Sequence, residues 1–116
     1  MTAGDAMAEM RVLIAAEAAA AAALFGPIPS WLSEYPADYT QQADGSWTRE
    51  FCLFVGEIVV VWVDETETGS RVVDAAVMEN RPWSAKTPTV LREYAAELEH
   101  AADVVGHAVW LIEGEP

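Results

Sequence analysis

Two histidines, one cysteine and nineteen carboxylates are the side chains with most chemistry to offer in this 116-residue chain. His100 and His107 would align over two helical turns, but Gly106 intervenes, and no Cys or acidic third ligand stands at a metal-binding spacing. Solvated histidines are the expectation, with no metal and no cofactor. Cys52 alternates with Phe51 and Leu53 in an apolar run, the setting of a small core hydrophobe rather than of an activated thiolate. Asp64, Glu65 and Glu67 cluster after a β-type run without the Asp-x-Asp-x-Asp-Gly ladder of a calcium loop. They fit a charged hairpin tip that keeps a sheet soluble. Ser30, Ser33, Ser46, Ser70 and Ser84 lack the Gly-x-Ser-x-Gly setting of a nucleophile elbow, and no Gly-rich phosphate loop occurs. These patterns point away from an enzyme.

A second acidic group is spaced for a helix. Glu93 and Glu97 stand four residues apart, as do Glu99 and Asp103, and only Arg92 compensates locally. Like charges at that spacing cost an isolated helix a few tenths of a kcal/mol per pair. The bland explanation is a solvated face. The functional one is a negative stripe shaped to meet a basic surface.

The elements that would position these groups centre on residues 48–79. Three runs rich in β-branched and aromatic residues (TREFCLFV, IVVVWVDETET and RVVDAAVME) are parted by Gly-Glu and Gly-Ser, the pattern of an antiparallel meander. The middle run is apolar on both alternations, with Ile58, Val60 and Trp62 on one face and Val59, Val61 and Val63 on the other. A central strand of that kind calls for two covers. Residues 5–25, dominated by alanine, supply one helix, closed by Gly26 and Pro27. Residues 87–105 supply the other. Thr87 and Pro88 start it, and Leu91, Tyr94, Leu98, Ala101, Ala102 and Val105 line one face before Gly106 stops it. Residues 26–47 read as a long aromatic loop with Trp31, Tyr35 and Tyr39. Residues 108–112 read as an apolar tail or a fourth, edge strand. The expected fold is α+β: one domain spanning 1–116, with a three- or four-stranded antiparallel sheet covered by an N-terminal Ala-rich helix and a C-terminal amphipathic helix.

Composition narrows the partners. The formal net charge is -13, from nineteen acidic and six basic residues. Nucleic acid and anionic membranes are therefore excluded as expected direct partners, since phosphate binding rests on Lys and Arg. A hydrophobic content of 53% argues for a folded core, and a single cysteine suits a reducing compartment. The first ten residues carry Asp5 and Glu9 and no Lys or Arg, and Glu17 interrupts a run too short to span a bilayer, so a cytoplasmic protein is expected.

Pro29-Ser30-Trp31, and the closing run from Leu91 to Asp103 (LREYAAELEHAAD), resemble an uncharacterised family of small actinobacterial and actinophage proteins. Its members open with Cys-Pro-x-Trp-Cys, pass through a short antiparallel sheet and close with an alanine-rich helix. Ile28 and Leu32 stand where that family has cysteines, so no metal or thiol role carries over. The resemblance implies an architecture and a phage or host context, and no activity.

The functional expectation is a non-enzymatic acidic accessory protein that binds a basic protein as an inhibitor, immunity-type or regulatory partner. Its contacts would be Asp64, Glu65, Glu67, Glu93, Glu97, Glu99 and Asp103. The alternative is a homodimer or other self-associating module joined through Ala18, Ala22, Val109, Trp110 and Leu111. A mimic of DNA charge is a third possibility.

Overall fold

The computed structural model describes residues 2–78 and 87–115. The chain runs from helix α1 (Ala3–Ala22) through a 3-10 turn (Ser30–Leu32) into strands β1 (Ala37–Gln41), β2 (Trp47–Val55), β3 (Val59–Thr66) and β4 (Arg71–Val77), then helix α2 (Pro88–Glu113). The strands form one antiparallel sheet in the order β1-β2-β3-β4, which with the two helices makes the α+β arrangement expected. Residues 79–86, which include Arg81, Pro82 and Trp83, lie outside the described residues.

The fourth strand comes from an unexpected place. It is β1, inside the segment read as an aromatic loop, and it pairs residue by residue from Ala37 opposite Phe51 to Gln41 opposite Trp47. Asp44-Gly45 makes the connecting turn. The Asp44 carboxylate accepts from the Ser46 N–H (3.0 Å) and Gly45 takes φ 90°, a conformation that glycine adopts without steric cost.

Residues 108–112 are neither a tail nor a strand. They are the last turns of α2, which runs through Gly106 without stopping. A helix-interior glycine costs about 1 kcal/mol against alanine, and packing on both sides of it outweighs that. Val104, Val105 and Ala101 lie on the cluster of Val59 and Val61, and Ile112 lies on the cluster of Leu32, Phe51 and Val63. After Gly106, Ala108 and Ile112 continue the same helix face across the core, while Val109 and Trp110 are exposed.

Strand β2 explains how one face holds so many bulky groups. Register shifts between Cys52 and Phe54, so that Phe51 faces Val63 and Phe54 faces Val61 on the same side. The bulge lets Leu53 and Phe54 both serve the inner face, which strict alternation forbids. Cys52 consequently sits half-buried on the opposite face and not in the core.

Among the described residues the two faces of the sheet are covered unequally. The inner residues of β3 (Val59, Val61, Val63 and Glu65) are buried, whereas Val60, Trp62 and Asp64 are half-buried. Helix α2 lies on the inner side, and α1 meets the sheet chiefly at β1. The outer face is the more polar one: the neighbours of Val60 and Trp62 there include Glu50, Asp64 and Asp74, which a second layer would have to desolvate.

Candidate functional site

The seven carboxylates expected to form one recognition surface are divided by the fold into three environments. Period-two alternation separates the first group. Asp64 faces outward, Glu65 faces the core, and Glu67 lies past the end of β3, where its Oε1 accepts from the Trp47 N–H at 2.8 Å.

Glu65 is a core residue, which corrects its placement at a charged tip. It is 1% exposed and forms ion pairs with Arg49, itself 2% exposed, and with Arg71 (Nε–Oε2 2.6 Å). Arg71 continues to Glu115, whose Oε1 accepts from Trp31 Nε1 at 2.9 Å. Arg49 also donates to the Gly26 carbonyl (3.1 Å) and lies between the rings of Phe25 and Phe51, 5.0 and 5.4 Å from their centroids. This inner network ties the end of α1, three strands and the end of α2 together. Registry explains it: Arg49 stands opposite Glu65, and Glu65 opposite Arg71.

Glu97 is equally structural. Its carboxylate accepts from the N–H groups of Glu57 (2.6 Å), Ile58 (2.8 Å) and Val59 (3.0 Å), closing the β2–β3 turn against α2. A Cβ at Gly56 would collide with that carboxylate, so glycine there clears the approach. Glu93, Glu99 and Asp103 remain on the exposed side of α2.

The fold also assembles an acidic site that the sequence pattern hides. On the outer face Asp38 of β1 stands opposite Glu50 of β2, and Glu50 opposite Asp64 of β3, a row of three carboxylates across three strands. Directly opposed residues hold their Cβ atoms about 5 Å apart. In the next row Cys52, Trp62 and Asp74 stand side by side, and Trp62 Nε1 donates to Asp64 Oδ2 at 3.0 Å. Asp38, Glu50, Cys52, Val60 and Trp62 line a shallow depression of about 290 Å³. Burial, a hydrogen bond with Asp64 and the charges of Asp64 and Asp38 push the Glu50 carboxyl above its ordinary value. No Lys or Arg projects from this face among the described residues. The only available signal was cross-strand registry, and it required knowing that residues 37–41 form a strand.

Basic side chains are scarce elsewhere because the core uses them. Arg49 and Arg71 offset Glu65 and Glu115, which leaves four basic and seventeen acidic residues and the same net -13 outside the network.

The histidines line a different groove of about 450 Å³, with Trp31, Tyr35, Leu53 and Asp103. His100 meets Phe54 edge-on (4.8 Å) and His107 stacks on Trp110 (6.0 Å), so both rings pack on aromatic neighbours. Among the described residues no group of three or more His, Cys, Asp or Glu side chains could hold a metal ion. The residues expected to self-associate lie on two elements. Ala18 borders β1 and Ala22 is half-buried on α1, while Val109, Trp110 and Leu111 belong to the end of α2. No helix among the described residues is long and apolar enough to cross a membrane.

Compared with known proteins, the chain matches no protein-family model, no curated protein and no solved structure.

Proposed function

We propose that the chain is a non-enzymatic acidic protein that binds a basic surface on another protein, and that the outer face of its sheet makes the contact. The observation that supports this reading most is the row Asp38–Glu50–Asp64, flanked by Trp62, Val60 and Val72 and without a basic neighbour among the described residues. Such a row of like charges is repulsive in isolation, and the charges of Asp64 and Asp38 add to burial and the Asp64 hydrogen bond in raising the Glu50 carboxyl. Incoming Lys or Arg groups relieve that repulsion, and the half-buried indole adds apolar and cation–π contact. The exposed α2 carboxylates Glu93, Glu99 and Asp103 act in this reading as a long-range attractive field rather than as the contact. An inhibitor, an immunity-type partner and a regulatory subunit all fit this chemistry.

The test compares two triple neutralisations with a ten-residue oligolysine as probe. Asp38→Asn, Glu50→Gln, Asp64→Asn should weaken binding at least about tenfold, against about threefold for Glu93→Gln, Glu99→Gln, Asp103→Asn. Equal losses in the two variants would remove the sheet face as the contact.

One observation favours self-association instead. Met7, Met10, Val12 and Leu13 of α1 are exposed, and the radius of gyration is 18.1 Å, where a compact chain of this length has about 13 Å. Helix α1 projects from the body, anchored near its end by Ala21 and Phe25. A second copy packing on its apolar surface would cover it.

A further inference from the structure

We propose that the edge of β4 that faces away from β3, with the groove between β4 and α2, docks an extended peptide segment of alternating apolar and basic residues. The proposal rests on the binder reading above and specifies its geometry.

Strand β4 is a terminal strand of the sheet. The Met78 N–H bonds to the Ile58 carbonyl and the Thr66 N–H to the Ser70 carbonyl, so even-numbered residues of β4 turn their backbone groups toward β3. Val73, Ala75 and Val77 therefore turn theirs outward, the template on which an added strand pairs. The Ala75 N–H is taken by the Asp74 carboxylate at 3.0 Å. At Val73 and Val77 no outward partner is present among the described residues.

Beside this edge lies a groove of about 460 Å³, lined by Val59, Ala75, Val77, Leu98, Ala101 and Val105. It opens on the inner side of the sheet. Side chains of an added strand alternate between the two sides. Those on the inner side meet this apolar groove. Those on the outer side meet Val72, which is 61% exposed, and the Asp74 carboxylate. An apolar–basic alternation satisfies both.

Charge selects this occupant over a second copy of the chain. Antiparallel pairing of two β4 strands over their full length sets Asp74 against Asp74, and each copy carries a net -13. A lysine or arginine at that place instead finds an acidic partner, with its stem on Val72.

The test uses the full chain and a blocked seven-residue peptide alternating Val and Lys, at low salt. Two N-methylated versions of the peptide carry the methyl groups on alternate sets of residues. Edge pairing predicts that one methylation pattern weakens binding at least about tenfold, through loss of two or three backbone hydrogen bonds, while the other binds as the parent. The amides of Val73 and Val77 should gain hydrogen-exchange protection on binding. Asp74→Asn should weaken binding about two- to fivefold. If both patterns bind equally and the Val73 and Val77 amides are unchanged, the edge proposal is overturned. In that case, a loss on Asp38→Asn, Glu50→Gln, Asp64→Asn leaves the acidic-face reading standing. Absence of any peptide binding at low salt overturns both.

Discussion

Replacing Glu65 by glutamine should destabilise the protein far more than replacing its neighbour Asp64 by asparagine. Glu65 is 1% exposed and supplies the carboxylate for Arg49, which is 2% exposed. Glu65→Gln keeps the size and one acceptor oxygen but leaves the Arg49 guanidinium buried without a counter-charge. Breaking a buried pair in this way costs about 3–5 kcal/mol. Phe25 and Phe51 still face the guanidinium and Gly26 still accepts from it, so the lower end, about 3 kcal/mol, applies. Arg71 keeps Glu115 and adds little to the loss. For a domain of this size the melting temperature should fall by about 12 °C. Asp64→Asn, by contrast, keeps an acceptor for Trp62 Nε1 and removes a like charge from Glu50, so it should melt within about 2 °C of the parent. Thermal unfolding followed by circular dichroism at neutral pH reads both. The double variant Arg49→Met, Glu65→Gln should recover at least half of the loss, since an apolar replacement removes the stranded charge. A Glu65→Gln variant that melts close to the parent would refute the assignment of Glu65 to the core network. So would a double variant no better than the single.

Four further substitutions have outcomes set by the structure. Glu97→Gln should lose about 1.5–3 kcal/mol, because a carboxylate accepting three backbone N–H groups becomes an amide with one acceptor. Gly56→Ala should move in the same direction by displacing that carboxylate, and urea unfolding measures both. Glu50→Gln should stabilise the protein at neutral pH by a few tenths of a kcal/mol. The folded protein holds the Glu50 proton more tightly than the unfolded chain does. The stability this contributes is present at acid pH and lost as pH rises from the ordinary value of 4.5 through the raised one. The advantage of Glu50→Gln should therefore grow across that window and vanish below it, and a gain unchanged with pH would contradict a Glu50 carboxyl raised by burial and by its acidic neighbours. Leu13→Lys, at a site 66% exposed, should leave the melting temperature within about 2 °C of the parent. If α1 joins two copies, the same variant should convert a dimer to a monomer in light scattering.

The sheet was legible in the sequence because its strands are strongly patterned. Residues 48–78 alternate or run apolar between glycine-marked turns, and three strands fall there. Strand β1 was not legible: ADYTQ carries a single aromatic and follows Pro27, Pro29 and Pro36, so only pairing with β2 makes it a strand. Gly106 misled in the opposite direction. It carries the local mark of a helix end, yet the core lies beneath both sides of it, and tertiary packing of Ala108 and Ile112 prevails. The acidic site was half legible. Counting carboxylates located Asp64 and the α2 residues, but charge alone could not show that Glu65 and Glu97 satisfy internal partners. Nor could it place Asp38 beside Glu50, a neighbour relation that exists only across strands.

The most direct test of the sheet face as the binding surface is an amide-resolved NMR titration with oligolysine, carried out at low and then at physiological salt. Shifts that concentrate on Asp38, Glu50, Cys52, Trp62, Asp64 and Asp74, and that fade as salt rises, are the predicted result. Shifts that gather on Glu93, Glu99 and Asp103, or spread evenly over every acidic residue, would contradict it.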